Sequence, residues 1–438
     1  MTLHSQKSLA PDVELLAKDH PDYVAALTQN RRWNYAANLL DSSTFAITKA
    51  SLTEITILPF FISQLTQNAV IIGLTPAISW LGFSLPQLFG AYFVHSSIRH
   101  KPFIVLMGWL ERVAILGMFL MTLTIGLLPA TVVLAGFLAT YCGFCSTAGL
   151  LTPPYSNFYA KHIPSGRGLF LGVQTVIYGA LGVVGAELVR MQLSASVFPY
   201  NMQSVLGWAF VLSLPAMIAF HGLREVPSPI VGPPQSFVTY LRAIPALLRE
   251  NPALKQLLKI RSLLALGKLS VPFLAVYAIE RFHLEAGYVA TYTAIMLGSQ
   301  SVSALAWGFF ADRLNYRWLW LCSAVIVLVQ AVLALVAPSA TWFIVIFLLI
   351  GLNLGAESAA LPHTLYSVSP PAETTRVIGL TITVLAPILA AGPVIGGVLI
   401  NQFSYTAALL AAVIVAAIGV AGTLVWIVPQ LAANRRHS

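Results

Sequence analysis

Charged side chains are scarce in this sequence. Only 9% of its 438 residues are Asp, Glu, Lys or Arg, whereas 58% are hydrophobic, and the mean hydropathy is +0.81. A soluble domain needs about 25% charged residues to cover its surface. The scarcity of charge excludes a soluble globular protein and indicates that most of the surface faces lipid. The net charge of +9 does not indicate nucleic acid as a partner, because the basic residues stand singly or in pairs between apolar segments.

Cysteine is also rare, and several chemical signatures are missing. Cys142, Cys145 and Cys322 all lie in apolar segments, which excludes a secreted disulfide framework. No other Cys or His lies near the first two, so we expect no metal site. The sequence has no Walker-type phosphate loop, which argues against ATP as a direct energy source. It also has no cluster of nucleophile, base and metal ligands, so we expect no enzyme and no cofactor.

Long apolar segments take up most of the chain. A membrane-crossing helix needs about 20 largely apolar residues, and the absence of period-two alternation excludes a transmembrane strand barrel. We therefore predict an all-α membrane protein with twelve spans. The first six are predicted at residues 42–65, 70–94, 103–127, 130–158, 168–189 and 203–222. The last six are predicted at residues 257–279, 286–310, 317–336, 341–366, 376–400 and 403–428.

The spans form two groups of six, joined by a polar, proline-rich connection. The sequence divides into an N-terminal segment (1–41), a six-helix bundle (42–222), a linker (223–256), a second six-helix bundle (257–428) and a tail (429–438). The N-terminal segment is polar and lacks the apolar core of a signal peptide, and we expect it to be partly helical around residues 23–40. The pattern around residues 241–258 predicts a helix on the membrane surface.

Lysine and arginine are concentrated in alternate loops. If the N-terminus is cytoplasmic, most of the 24 basic residues fall in cytoplasmic loops or termini, as the positive-inside rule requires. We predict that both termini are cytoplasmic and that the protein lies in the inner membrane of the cell.

Two loop sequences repeat between the halves. Gly90 precedes Arg99 after the second span with the same spacing as Gly308 precedes Arg317 after the eighth. The second copy also contains Asp312 and Arg313. A further repeat follows the fourth and tenth spans, each with a proline fourteen residues before an arginine, namely Pro153 before Arg167 and Pro362 before Arg376. These repeats predict a parallel duplication.

The segment from Gly308 to Arg317 resembles the Gly-x-x-x-Asp-Arg-x-x-x-Arg loop of the major facilitator superfamily. The resemblance implies two pseudo-symmetric six-helix bundles and the function of a bacterial-type permease. In the first copy, Val94 and His95 replace the Asp and Arg of the motif. The resemblance also implies that this loop controls opening, with Asp312 accepting hydrogen bonds at the start of the fifth span. The residues expected to take part in gating are Gly308, Asp312, Arg313, Arg317, Gly90, Arg99, Arg167 and Arg376.

A few charged residues fall inside predicted spans, where each costs at least ~2.5–3.5 kcal/mol without a partner or a water-filled cavity. Glu54 and Lys268 lie ~18 Å and ~16 Å along the first and seventh spans, near mid-depth. The family arrangement makes these two spans equivalent. We therefore expect Glu54 and Lys268 to contact substrate or to form an ion pair that substrate or a proton breaks. A static structural pair is the alternative.

Other intramembrane residues are weaker candidates. On a continuous helix Lys49 and Glu54 lie ~140° apart, so we expect them on different faces, with Lys49 reaching toward the cytoplasm as an alternative to lining the cavity. Glu357 is a candidate for proton coupling, and Glu111 and Arg112 are expected to pair with neighbouring helices in a structural role. Asn353, one turn before Glu357, is a candidate for the same coupling role or for substrate contact. The remaining candidates for the cavity lining, for which helix packing is the alternative, are Gln174, Tyr178, Tyr292 and Gln300.

The sequence therefore predicts a secondary transporter that works by alternating access, with protons as the coupling ion and Glu54 or Glu357 as the proton site. The apolar lining slightly favours an amphipathic or hydrophobic solute and export, as by an antiporter. The expected partners are a small-molecule substrate, protons and lipids, and we expect a monomer. The alternative is a membrane sensor or lipid-moving scaffold with the same fold and no coupled transport, which the altered residues Val94 and His95 favour.

Overall fold

The computed structural model describes residues 18–95, 97–165, 167–228, 251–311, 313, 315–368 and 374–434, and it consists there of helices joined by short turns and loops. The helices of the N-terminal half are α1 (Pro21–Ser51), α2 (Ile57–Ser63), α3 (Ala69–His95), α4 (Lys101–Leu123), α5 (Ala130–His162), α6 (Arg167–Ala195) and α7 (Tyr200–His221). Those of the C-terminal half are α8 (Pro252–Gly267), α9 (Leu274–Phe282), α10 (Gly287–Ala311), α11 (Tyr316–Val336), α12 (Thr341–Val368), α13 (Thr374–Gln402) and α14 (Tyr405–Asn434).

Eleven helical segments in the described part of the chain are long and apolar enough to cross a membrane. The segment from Pro252 to Phe282 contains α8, a 3₁₀ turn at Val271–Phe273 and α9. The remaining predicted span, at 42–65, corresponds to the end of α1 together with α2. The predicted fold of an all-α, polytopic membrane protein is confirmed.

The same packing occurs in both halves. In the first half α1 packs on α6 and α7, and in the second half α8 packs correspondingly on α13 and α14. The pair α3–α5 corresponds in the same way to α10–α12, and α4–α5 to α11–α12. This repetition of contacts agrees with the duplication that the loop sequences predict.

The two halves meet along two pairs of helices, α3 with α13 and α6 with α10. Small residues allow the backbones to approach closely there. A Cβ atom added to Gly397 of α13 would lie 2.5 Å from the carbonyl oxygen of Ala69, and one added to Gly73 of α3 would lie 2.6 Å from that of Pro393. Glycine is therefore required at both positions for this contact.

Two faces of the bundle are distinguished below. The terminal face is the side at which α1 begins and α14 ends, and the far face is the opposite side, where α2 ends and α3 begins. Sequence patterning predicts that the terminal face is cytoplasmic. The largest hydrophobic core lies toward the far face and includes Phe61, Phe137, Phe273, Tyr292 and Phe347 from both halves.

The first span of each half is interrupted near its middle. In the first half, residues 52–56 separate α1 from α2, and the amide of Leu58 donates to the carbonyl of Thr53, five residues earlier. In the second half, Lys268–Ser270 and the 3₁₀ turn separate α8 from α9. The interruptions lie at equivalent positions in the two halves, and each contains one of the charged residues expected near mid-depth, Glu54 or Lys268.

Two differences from the sequence-based boundaries concern the ends of helices. The chain is helical from Pro21, so the helix expected around residues 23–40 is continuous with the first span. The seventh span begins at Pro252, where the Asn251 side chain accepts a hydrogen bond from the amide of Leu254 and caps the helix. Most of the surface helix expected at 241–258 lies outside the described residues.

Candidate functional site

The interruption in the first span brings Glu54 and Lys49 together. Their side chains form an ion pair with a 3.4 Å separation between Nζ and Oε2, and both remain partly exposed. The expectation that these two side chains lie on different faces is wrong. It assumed a continuous helix, whereas α1 ends at Ser51, and the turn that follows directs the Glu54 side chain back toward Lys49.

The interruption in the seventh span places Lys268 against Glu357 of α12, with 2.5 Å between Nζ and Oε1. Arg261, one and a half turns before the end of α8, and Ser323 of α11 also interact with the Glu357 carboxylate. Arg261 in addition stacks over the Trp320 ring, with its guanidinium carbon 5.4 Å from the ring centre. Glu357 is therefore the one carboxylate in a cluster with two cations.

The ion pairs of the first and seventh spans are thus formed within each half. Glu54 pairs with Lys49 and Lys268 pairs with Glu357, so the pair between Glu54 and Lys268 that the sequence analysis considered is absent from this conformation. Neither pair is fully enclosed by protein, because the four side chains keep between 18% and 36% of their exposure.

A cavity of about 390 Å³ lies between the two halves, and we call it the central cavity. It is lined by α1 and α6 from the first half and by α10 and α12 from the second. Among the expected lining residues, Lys49, Tyr178 and Gln300 contribute to its wall. Ser301 and Ser358 add polar groups that the sequence analysis did not single out. Ser358 follows Glu357 in the chain, so the cavity adjoins the second ion pair.

A second cavity, of about 310 Å³, lies inside the N-terminal bundle, and we call it the side cavity. Its wall includes Glu111 and Arg112, which form a buried ion pair with 2.5 Å between Nη1 and Oε2. The expectation that each of them pairs with a neighbouring helix holds for Arg112 alone, whose Nε donates to the carbonyl of Ser213 on α7. Adjacent residues on a helix point ~100° apart, but the long Arg112 side chain reaches back to its neighbour.

The side cavity also contains Asp41, a residue missed by the sequence analysis. Its carboxylate accepts a 3.0 Å hydrogen bond from the hydroxyl of Tyr155 on α5, and the residue is only 9% exposed. It was overlooked because the predicted first span began at residue 42, which assigned Asp41 to the polar segment before it. The signal that could have located it was the helical pattern around residues 23–40, which extends without interruption through Asp41.

Two of the remaining candidates are packing residues in this structure. Tyr292 is fully buried and stacks on Phe347, with ring centres 4.7 Å apart. Asn353 is 1% exposed and joins α12 to α11 by donating to Ser323. Neither is among the residues that line the central cavity in this conformation. This favours the packing alternative for Tyr292, and a coupling or substrate role for Asn353 stays a prediction. Gln174 accepts a hydrogen bond from the Tyr159 hydroxyl, which links α6 to α5.

The loop signature is only partly within the described residues, because Asp312 lies outside them. Gly308, one of the expected gating residues, does not lie at a close contact between helices, because a Cβ atom there would meet no described atom within 4 Å. Its counterpart Gly90 does lie against the backbone of Leu150 on α5. Arg313 covers the Phe309 ring at 3.9 Å, and Arg317 donates to the carbonyl of Trp426 near the end of α14.

The other three gating candidates are arginines at the terminal face. Arg99 is exposed in the loop between α3 and α4, where its carbonyl accepts a hydrogen bond from Ser97. Arg167 and Arg376 belong to the first turns of α6 and α13, and their side chains lie outside the described part of the structure. Their role in gating stays a prediction.

The segment Leu223–Ser228, which we call the clasp, closes the terminal face of the N-terminal half. Glu225 accepts hydrogen bonds from the amides of His100 and Lys101, at 2.5 and 3.2 Å, where α4 begins. A carboxylate is favourable at this position because unpaired amides and the helix dipole are concentrated at a helix N-terminus. The resemblance assigned such a contact to Asp312, and Glu225 makes one within the first half.

His162 and Asn34 hold the same clasp from two other helices. The His162 Nε2 accepts a 2.9 Å hydrogen bond from the amide of Val226, and the ring stacks on Phe158. Burial lowers the pKa of His162 below its usual value of 6.5, although Glu225 opposes this shift. Asn34 of α1 pairs with the backbone of Arg224 through two hydrogen bonds.

On the far face, polar side chains join the halves. Asn401 at the end of α13 donates to the Asn68 side chain at 2.7 Å and accepts from the amide of Ala69 at 2.8 Å. At mid-depth, the hydroxyls of Thr56 and Thr293 lie 2.6 Å apart. We call the Asn68–Asn401 contact the far-face gate.

Residues 261–438 match the family model described as Major Facilitator Superfamily. None of the curated proteins matches the chain significantly. Among solved structures, a mutant of the nucleoside transporter NupG superposes with a TM-score of 0.71 at 12% identity, covering 90% of this chain and 99% of that one. A transporter of the POT family in complex with a thioalcohol-conjugated peptide gives 0.67 at 13% identity, covering 91% and 96%.

A third similar structure is a bacterial homologue of the human lysosomal transporter Spinster in an inward-facing conformation. Its TM-score is 0.59 at 17% identity, and the alignment covers 91% of this chain and 95% of that one. At these identities the likeness shows the fold and not the substrate. The chain is an integral membrane protein with the fold of these transporters, and the sequence of residues 261–438 is similar to that of the major facilitator superfamily.

Proposed function

We propose that this protein is a proton-coupled secondary transporter that exports a small amphipathic solute by alternating access. The observation that carries the proposal is the pair of interrupted spans. In secondary transporters, binding sites near mid-membrane are formed where transmembrane helices are interrupted. Here each half has one interruption, each interruption contains a charged residue, and each charge forms an ion pair inside its own half.

These ion pairs supply a mechanism for coupling. A proton that binds Glu54 or Glu357 neutralises the carboxylate and removes the attraction that holds Lys49 or Lys268 in place. The freed ammonium group can then turn toward the central cavity, which Lys49 already lines. An interaction that differs between two conformations is what allows a bound proton to shift their populations.

The contacts between the halves support alternation between two states. The far-face gate and the packing of α3 on α13 join the halves on the far face. The central cavity lies between the same helices and includes the ion-paired Lys49. Opening the far face requires the Asn68–Asn401 and Thr56–Thr293 hydrogen bonds to break, which a rocking motion of the halves achieves without unfolding either one.

The wall of the side cavity supports an amphipathic solute, because aromatic rings and aliphatic side chains surround a few charges. A pocket that is mostly apolar with few polar groups selects ligands of mixed character. Export follows from the same property, since an amphipathic compound enters a cell through lipid and needs a transporter mainly to leave it.

The test is solute flux in sealed proteoliposomes with and without a proton gradient. A chemically mixed library is screened against wild type, Glu54→Gln and Glu357→Gln. Glu187→Gln is the matched control, because Glu187 forms an exposed ion pair with Arg190 at the far end of α6. We expect gradient-driven accumulation in wild type and in the control, and its loss in one or both of the other variants.

Flux that is unaffected by the gradient and by both substitutions would exclude proton coupling through these carboxylates. Absence of flux for every compound would favour the alternative, a sensor or lipid-moving scaffold. A scaffold of that kind should keep its activity when Glu54, Lys268 and Glu357 are neutralised together, whereas coupled transport should not survive.

A further inference from the structure

The side cavity differs from the central cavity because it lies within one half. Residues from α1, α3, α4, α5, α6 and α7 form its wall. Lys49 and Tyr178 line both cavities, so the two adjoin at these side chains. At about 310 Å³ the side cavity reaches the lower end of the range for sites that hold small organic molecules, which is about 300–1,000 Å³.

Aromatic rings form much of the apolar wall. Phe45 of α1, Phe83 of α3, Phe144 of α5 and Phe220 of α7 all face this cavity. Rings of this kind offer large apolar contact area, and their faces also attract cations. The structure shows that attraction at two places, where Arg112 lies 5.0 Å from the Phe45 ring centre and Lys49 lies 5.8 Å from that of Phe144.

The charges around the side cavity do not balance. Arg112 is neutralised by Glu111, and Lys49 is neutralised by Glu54. Asp41 remains, and within the described part of the chain it forms no ion pair; its hydrogen bond comes from the neutral hydroxyl of Tyr155. A carboxylate that is more than nine-tenths buried is unfavourable without a cation, because it has lost most of its hydration.

A ligand for this site must therefore supply positive charge next to Asp41 and apolar surface for the rings. An anion would be repelled by Glu111 and by ionised Asp41, and a neutral molecule would leave Asp41 either with an unbalanced charge or protonated. A small inorganic cation would balance the charge and leave the aromatic wall unfilled. An organic amine with one ammonium group and an apolar body satisfies both requirements.

We propose that the side cavity binds an amphipathic monoamine, with the ammonium group on the Asp41 carboxylate and the apolar body against Phe45, Phe83 and Phe220. This inference rests on the proposed function, because it names the class of solute that is transported. Lys49 and Tyr178 form the boundary through which the ligand passes between the side cavity and the central cavity. Asp41 contacts the ligand directly, and Tyr155 is a positioning residue that orients the carboxylate.

The test is equilibrium binding to the purified full-length protein in detergent, where no gradient exists and no transport occurs. Three probes share the same phenylalkyl body and differ in the charge of the head group, namely 4-phenylbutylamine, 4-phenylbutan-1-ol and 5-phenylpentanoate. We expect the amine to bind at least about tenfold more tightly than the alcohol, and the carboxylate to bind more weakly still, because a desolvated charge pair contributes at least this factor.

Substitutions then locate the ammonium group. Asp41→Asn should weaken amine binding at least about tenfold and leave alcohol binding nearly unchanged, since only the charge pair is lost. Asp41→Glu keeps the charge and should restore most of the affinity for the amine. The control Glu187→Gln removes a carboxylate far from the cavity and should bind all three probes as wild type does.

A native cysteine gives a measurement that does not depend on whether Asp41 variants fold. Cys145 lines the side cavity and is 4% exposed. In a chain with Cys142→Ala and Cys322→Ala, a small methanethiosulfonate reagent reports access to Cys145 alone. We expect the amine to slow this labelling at concentrations at which the alcohol and the carboxylate do not.

Equal affinity for the amine and the alcohol, or amine binding that Asp41→Asn leaves unchanged, would overturn the inference. Amine binding that fails to protect Cys145 would also overturn it, because the ligand would then lie elsewhere. The proposed function is tested separately. Flux of other compounds without amine binding would contradict this inference alone. Amine binding without flux of any compound would contradict only the proposed function.

Discussion

The two members of the Lys268–Glu357 ion pair differ in the number of opposite charges near them. Glu357 interacts with two cations, Lys268 and Arg261, whereas Lys268 has Glu357 as its single ion-pair partner among the described residues. Removing one member of a buried pair costs about 3–5 kcal/mol because the other charge is left unbalanced. The cost in this cluster therefore depends on which member is removed.

We predict that Glu357→Gln destabilises the protein more than Lys268→Met does. Loss of Glu357 leaves two cations close together without a carboxylate, whereas loss of Lys268 leaves Glu357 beside Arg261. Because both side chains keep about a fifth of their exposure, we expect roughly 2–3 kcal/mol for Glu357→Gln and about half of that for Lys268→Met. Denaturation by SDS of the purified variants measures the difference.

The double variant Lys268→Met/Glu357→Gln provides the control. If the pair acts as described, the double variant is more stable than the sum of the two single effects predicts. Both charges of the pair are then removed together, so neither remains without the other. Strict additivity, or a larger effect for Lys268→Met, would contradict this account of the cluster.

Histidine 162 makes the clasp sensitive to pH. Its Nε2 must be unprotonated to accept from the amide of Val226. Burial lowers its pKa below 6.5, so the unfolded chain takes up the proton before the folded chain does. The contribution of His162 to stability is therefore complete above about pH 6.5 and is lost as the pH falls below that value.

We predict that the melting temperature of wild type falls between pH 7.5 and pH 5 by more than that of His162→Gln. The variant should also lose roughly 1 kcal/mol at pH 7.5, where the hydrogen bond to Val226 is intact in wild type. His221→Gln is the matched control, since His221 is exposed on the same face. Identical pH profiles for wild type and His162→Gln would show that this residue is not the titrating group. His100, Lys161 and Glu225 also lie close to His162, and they affect the pH profiles of wild type and His162→Gln alike.

At the scale of single elements, the interruptions of the two equivalent spans determine which charges meet. Apolar composition predicts the length of a span, and the seventh span, predicted at 257–279, lies within the observed segment Pro252–Phe282. It could not predict where a helix stops inside a span, because Leu52–Thr56 contains neither proline nor glycine. Packing of the surrounding helices decides this, and the pairing of Lys49 with Glu54 follows from it.

Helix α13 illustrates a second limit of sequence reasoning. The run Gly392–Gly397 contains three glycines, and its sequence does not show which neighbouring helix they approach. In the structure it forms the surface of α13 that lies closest to other backbones, with Gly396 against Leu269 and Gly397 against Ala69. Glycine content indicates that some backbone approaches closely, but only the fold shows which one.

We predict that Gly397→Val prevents the far face from closing as it does here. The added Cβ atom would lie 2.5 Å from the Ala69 carbonyl oxygen and 2.7 Å from its carbon, so α3 and α13 must separate. Transport should fall strongly, while the folded fraction stays high, because each half also has a hydrophobic cluster of its own, around Phe158 in the first half and around Trp320 in the second. The control is Gly172→Val on α6, where a Cβ atom meets no described atom within 4 Å. Normal flux in Gly397→Val would show that this contact is not needed for transport.

For the whole molecule, eleven of the twelve predicted spans appear in the described residues as helical segments long enough to cross a membrane. They were predictable from the sequence because membrane thickness sets the length of each span. The difference between the proposed conformational states does not depend on any single segment of the chain. It depends on contacts between the two halves, such as Asn68 with Asn401, whose residues are far apart in the sequence.

We predict that a disulfide between Asn68→Cys and Asn401→Cys stops transport reversibly. The two side chains are in hydrogen-bonding contact at 2.7 Å, so oxidation of the pair should lock the far face closed. The experiment uses a chain in which Cys142, Cys145 and Cys322 are replaced by alanine. Reductant should restore flux, and each single cysteine variant should be insensitive to oxidant. Full flux in the crosslinked protein would rule out alternating access through this face.

The distribution of charge between the halves has an electrical consequence. The N-terminal half has three carboxylates and two cations around its ion pairs and side cavity, namely Asp41, Glu54, Glu111, Lys49 and Arg112. The corresponding cluster of the C-terminal half has two cations and one carboxylate, namely Arg261, Lys268 and Glu357. In this charge state a voltage across the membrane pulls the two halves in opposite directions. One elementary charge moved across 100 mV corresponds to about 2.3 kcal/mol, so even a fractional displacement along the membrane normal would make the proposed rocking motion electrogenic, before any solute binds.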